Sequence, residues 1–167
     1  MRKLAILGGA LGLAMTLGVG QSAAQDGKSF ITEAIQGNYA EVAMGQLAQK
    51  NGQNAELKSF GKTLVEDHSA ANEKAEAAAK AVGATPPTGP SAEQKEMHDK
   101  LAGMSGEDFD RAFAKQMVED HTKDIGKYED AAKGGSDAVS QYAESTLPTL
   151  RRHLETAQMI ADKVGAD

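Results

Sequence analysis

Three of the four histidines in this 167-residue chain, His68, His121 and His153, fall on or beside the apolar stripe of three different helical segments. A fourth helical segment has no histidine but carries Glu41 on its inner stripe. Imidazole nitrogens and a carboxylate oxygen converging from separate helices make an N3O donor set of the kind that suits zinc, copper, iron or manganese. Asp67, Asp120 and Asp124 flank the histidines within one turn. Such carboxylates either fix an imidazole tautomer from behind or join as ligands themselves. The same groups without a metal can form a hydrogen-bonded buried layer that sets helix register. Residue type and spacing leave both readings open.

The elements that must position these groups follow from periodicity. Apolar and small residues recur at helical spacing over 29–50, with Ile31, Ala34, Ile35, Asn38, Glu41, Val42, Gly45 and Ala48 on one stripe. Asn51-Gly52 ends that segment, and Asn54 is an N-cap for a second helix that runs to Val82 and stops at Gly83. Thr85–Pro90 holds three of the four prolines and cannot be helical. Ser91 with Gln94 forms a capping box for a short helix. A third long helix is expected from Ser105 to Lys133, a turn at Gly134-Gly135, and a fourth from about Asp137 to Val164. Pro148 removes one backbone bond from that last helix and is expected to kink it near Glu144, but the stripe Val139, Tyr142, Thr146, Leu150, His153, Ala157, Ile160 and Val164 stays in phase through it. Met44, Met117 and Met159 are expected as core fillers.

Four long amphipathic helices with small inner residues pack as an all-α four-helix bundle. The two short turns make two hairpins, and the middle connection, 83–104 with its short helix, is long enough to cross the bundle from end to end, which is the ferritin-like arrangement. A short-loop up-and-down bundle is the alternative. At 1.5 Å per residue, Glu41 lies roughly 16 Å and His68 roughly 22 Å from the first turn, and His121 and His153 lie about 20–25 Å from the second. All four therefore fall near mid-height.

Helices two and three also repeat one another. Phe60-Gly-Lys-Thr-Leu-Val-Glu-Asp-His68 aligns with Phe113-Ala-Lys-Gln-Met-Val-Glu-Asp-His121, and 11 of 21 positions are identical at an offset of 53. Shared composition does not produce Val-Glu-Asp-His in phase with the same Phe and Lys, so the two helices are expected to do equivalent jobs.

Composition narrows the chemistry further. With no cysteine, thiolate sites, iron–sulfur clusters and disulfides are excluded. A net charge of −6 argues against a nucleic-acid partner. Aromatic residues make up only 4 %, so the core must be aliphatic and small. Arg2-Lys3, the apolar run Leu4–Val19 and Ser22-Ala23-Ala24 have the layout of a secretory signal peptide over 1–24, which leaves 25–167 as an exported, periplasmic or secreted domain. No cysteine stands at the junction for lipidation, and no later apolar run reaches membrane-spanning length. No phosphate loop, His-Glu-x-x-His or nucleophile elbow occurs, so a binding or structural protein is favoured over an enzyme.

Four local sequences carry a resemblance. They are Gly37-Asn38-Tyr39-Ala40-Glu41-Val42-Ala43-Met44-Gly45-Gln46-Leu47-Ala48, Val65-Glu66-Asp67-His68-Ser69, Gly106-Glu107-Asp108-Phe109-Asp110 and Thr146-Leu147-Pro148-Thr149-Leu150-Arg151-Arg152-His153. In this order, over about 28–163, they resemble the domain-of-unknown-function 4142 family, exported bacterial proteins of the ferritin-like superfamily. The resemblance implies a ferritin-like four-helix bundle and no particular activity. Di-iron carboxylate bundles of that superfamily use Glu-x-x-His pairs. Here Val65, Val118 and Leu150 stand three residues before the histidines, which argues against a ferroxidase centre. Two function classes follow: an exported bundle binding a divalent transition metal at the Glu/His cluster, or a non-catalytic envelope or stress protein with a metal-free polar layer.

Overall fold

In the computed structural model of the chain, residues 18–134 and 137–166 are described, with side chains from Asp26 onward. The expected signal segment falls largely outside them, as does Gly135 of the second turn. Among the described residues there are five helices and no strand: α1 Gly18–Asn51, α2 Ala55–Ala81, α3 Ala92–Ala102, α4 Gly106–Ala132 and α5 Ala138–Val164. α1 begins eleven residues before the expected Ser29: no proline interrupts 18–28, and the helix runs on through Asp26-Gly27.

Local chemistry sets the other boundaries. Asn54 Oδ1 accepts from the backbone N–H of Glu56 and Leu57 at 2.9 and 3.1 Å, satisfying two donors at the start of α2. At its other end, Gly83 adopts φ +68°, and the N–H groups of Gly83 and Ala84 bond back to the carbonyls of Lys80 and Ala79. This left-handed stop needs glycine. The Ser91–Gln94 capping box is formed in both directions. Asp137 caps α5 through Val139 and Ser140. Ser105 differs: it stands at the N-cap position of α4 but makes no side-chain cap bond. α5 runs through Pro148 without a break.

α1 with α2 and α4 with α5 form antiparallel hairpins; α2 packs on α5 and α1 on α4, so that α2 and α4 lie across the diagonal. The start of α4 sits beside the start of α2, because buried Asp110 accepts from the N–H groups of Gln53 and Asn54 at 3.0 and 2.7 Å. The connection 83–105 therefore returns along the whole bundle, with α3 against α1, and Asn51 Nδ2 holds its end through the carbonyls of Ala102 and Met104. The long crossover is adopted and the up-and-down alternative is not.

The core is split in two. One cluster, near the α1–α2 turn, is built on Leu57, Phe60, Leu64, Phe109, Phe113, Met117 and Ile160. The other is built on Ile31, Ile35, Ala75, Tyr128, Tyr142 and Leu150. Between them lies a layer of buried polar residues that includes Asn38, Glu41, His68, His121, Thr146 and His153. Met44 and Met117 are in the core as expected, but Met159 is 59 % exposed, because the buried face of α5 passes through Ala157, Ile160 and Ala161 on either side of it.

Candidate metal centre

α2, α4 and α5 each deliver one histidine to the centre of this layer. One ring nitrogen from each of His68, His121 and His153 lies within 4.8 Å of the other two, and all three residues are buried. Their ring centroids are 5.3–5.9 Å apart. The edge of Phe60 closes the cluster on one side, 5.8 Å from His153 and 6.5 Å from His121.

The outward nitrogen of each ring is anchored. His121 Nδ1 lies 2.9 Å from the Met117 carbonyl, which only accepts, so Nδ1 carries the proton. His153 Nε2 lies 2.9 Å from Asp67 Oδ2 and donates to that carboxylate. His68 Nδ1 is 2.9 Å from Asn38 Oδ1, and Asn38 in turn donates through Nδ2 to the Tyr142 hydroxyl at 3.0 Å. The amide oxygen, which only accepts, faces His68, so Nδ1 donates there too. Tyr128 extends the chain, with its hydroxyl 3.1 Å from that of Tyr142.

The remaining nitrogens, His68 Nε2, His121 Nε2 and His153 Nδ1, therefore hold lone pairs, and each is buried without a hydrogen-bond partner. Burial lowers all three imidazole pKa values, that of His121 to about 4, with charge repulsion from neighbouring imidazoles adding to the shift at His68 and His121. The cluster is neutral at pH 7 and presents three acceptors and no donor.

The carboxylates divide by position. Asp67 holds the His153 tautomer. Glu41 does not join the three histidines within ligand distance; it lines an adjoining cavity of about 340 Å³ between α1, α3 and α4, and its Oε2 is buried and unpartnered. Burial raises its pKa well above the usual carboxylate range, with Asp120 and Asp124 adding repulsion. Asp120 and Asp124 line the same cavity, and neither bonds a histidine. Asp120 accepts from Gln116 at 2.9 Å, and burial pushes Asp124 up to about 6. His98 on α3 lies apart from the cluster, half-buried beside Asp99.

Asn38, the Met117 carbonyl and the tyrosine pair are not among the residues the sequence singles out for the site, although Asn38 is polar on the apolar stripe of α1, three before Glu41. A backbone carbonyl leaves no such mark.

No helix among the described residues is long and apolar enough to cross a membrane. No match was found among curated proteins or among solved structures. A family model, Domain of unknown function (DUF4142), matches residues 14–160, a span that contains Asn38, Glu41 and the three clustered histidines and all but the last turn of the core. The chain belongs to the DUF4142 family.

Proposed function

We propose that this protein is an exported binder of a divalent transition metal, held by His68, His121 and His153. One observation carries the reading: three neutral imidazoles converge with their lone pairs inward and their N–H groups tied outward. A structural polar layer closes on itself, each inward acceptor meeting an inward donor, because an unpaired buried acceptor costs about 1–3 kcal/mol. A water has only two protons for three lone pairs. A metal ion accepts from all three, and its ligands need no deprotonation at neutral pH.

Imidazole donors favour zinc or copper over manganese, and iron is the weaker candidate without a carboxylate in the set. Three protein ligands leave a coordination position for water or, after a side-chain movement, for Glu41. Export is supported by Arg2-Lys3, the apolar run and Ser22-Ala23-Ala24.

The test is elemental analysis of protein isolated without chelator or affinity tag, followed by thermal melts of the stripped chain. Zinc or copper at a hundredfold excess over Kd is expected to stabilise by about 2.7 kcal/mol. That corresponds to a midpoint shift of roughly 5–10 °C. His68→Ala abolishes the shift. No shift with zinc, copper, manganese or ferrous iron in the wild type would leave only the metal-free layer. N-terminal mass spectrometry of the exported fraction is expected to find a start at or near Gln25; recovery of the intact chain in membranes would contradict it.

A further inference from the structure

We propose that the cavity between α1, α3 and α4 is the path by which a divalent cation reaches the three histidines, with Asp120 and Asp124 collecting the ion and Glu41 receiving it at the inner end. This rests on the metal-binding reading above, and supplies the step which that reading leaves out: how an ion enters a closed bundle.

The cavity meets the cluster at one histidine. His68 alone of the three histidines lines the cavity. His121 and His153 are each 2 % exposed and covered by Phe60. The gap beside His153 is occupied by Asp67, which is bonded to it. The tyrosine pair and Asn38 close the layer toward the second core cluster. At about 340 Å³ the cavity is larger than a hexahydrated cation, whose six waters fill roughly 180 Å³ at about 30 Å³ each.

The charges are graded along it. Lys127 is paired with Glu33 at 2.8 Å, which leaves four carboxylates, those of Glu41, Glu93, Asp120 and Asp124, against the exposed Lys123 in the remaining lining. Glu93 on α3 is exposed, Asp120 and Asp124 are half-buried, and Glu41 is 6 % exposed with its unpartnered Oε2. Going inward, the carboxylates become progressively less hydrated, so an ion exchanges waters for oxygens stepwise before it meets nitrogen. A concave, acidic, low-dielectric channel raises cation on-rates by focusing the field. The charge of Asp120 and Asp124 changes the final complex little, because these two carboxylates do not hold the ion there.

The experiment is stopped-flow loading of the metal-free chain with Co2+, whose visible bands report nitrogen ligation, together with equilibrium titration. Asp120→Asn/Asp124→Asn is expected to slow loading by roughly tenfold or more at low salt, with affinity within about threefold of wild type and a weaker salt dependence. Glu93→Lys reverses an exposed charge at the mouth and slows loading without touching the interior, so the test survives if the double variant folds poorly. Glu66→Gln/Glu73→Gln removes the same charge from the solvated face of α2 and leaves the rate unchanged. Unchanged loading in Asp120→Asn/Asp124→Asn and Glu93→Lys overturns the path, and so does equal slowing by the remote pair. A wild-type chain that gives no Co2+ bands overturns the metal-binding reading itself, and the path with it.

Discussion

The chemistry of each histidine is decided by what lies behind it. A carbonyl, an amide oxygen and a carboxylate accept the outward protons of His121, His68 and His153, and thereby leave three buried, unpartnered lone pairs in one cluster. Of these anchors Asp67 is the most informative to change, since its side chain is 38 % exposed and its loss leaves water at hand. Asp67→Asn is expected to lower metal affinity roughly 10–100-fold, the usual range for a group that orients a ligand. Far-UV circular dichroism should stay unchanged. Calorimetric titration with Zn2+ measures the loss; an affinity equal to wild type would mean that the Asp67 contact orients nothing. Asp67 also shows where reading along the chain reaches its limit. Its repeat counterpart Asp120 has the same neighbours in sequence, yet it bonds Gln116 and faces the cavity. Adjacent helical residues project about 100° apart, so each Asp serves whichever helix lies beside it.

At the scale of the element, α1 and α2 approach closely where Gly45 meets Gly61. A Cβ on Gly45 would stand 2.5 Å from the Gly61 carbonyl oxygen, and one on Gly61 would stand 2.7 Å from Gly45 O and from Ala48 Cβ. Backbone atoms cannot turn aside, so the helices would have to part. Gly45→Ala and Gly61→Ala are each expected to destabilise by roughly 1–3 kcal/mol through overpacking. Gly126→Ala, in the exposed part of α4 with nothing within 4 Å, is expected to stabilise by about 0.5–1 kcal/mol through helix propensity. Denaturant melts of the three variants separate the cases; stabilisation by all three would mean that α1 and α2 have room between them. Gly45 is legible as a stripe position, but its partner Gly61 lies off the apolar stripe of α2, which periodicity runs through Leu57, Phe60, Leu64 and His68. Periodicity gives the face of one helix and not the distance to the next.

At the scale of the whole molecule, the crossover brings the end of α5 to the start of α2, where Lys163 pairs with Glu56. In an up-and-down bundle these two residues would stand at opposite ends. The chain has no cysteine, so Glu56→Cys/Lys163→Cys introduces the only thiols. A short crosslinker with two thiol-reactive electrophilic ends is expected to join them within one chain, seen as a mass addition with no dimer on denaturing gels. Failure to link would overturn the connection. Length alone allowed the segment 83–105 either course. The choice is made by contacts remote in sequence: Asp110 on the amides of Gln53 and Asn54, and Asn51 on the carbonyls that end α3.

The sequence by itself determined the helices, most of their caps and the mid-height level of the polar residues, because caps, stops and periodicity act within a few residues and rise per residue is constant. It also marked His68, His121, His153 and Glu41 as inward. Only the tertiary structure decided that the three histidines meet while Glu41 stands aside in a cavity, and that each imidazole turns its lone pair inward. Which groups share a level follows from counting along a helix. Which of them touch depends on how four helices are rotated about their axes and on which atoms stand behind each ring, and those are set by packing between segments up to about a hundred residues apart.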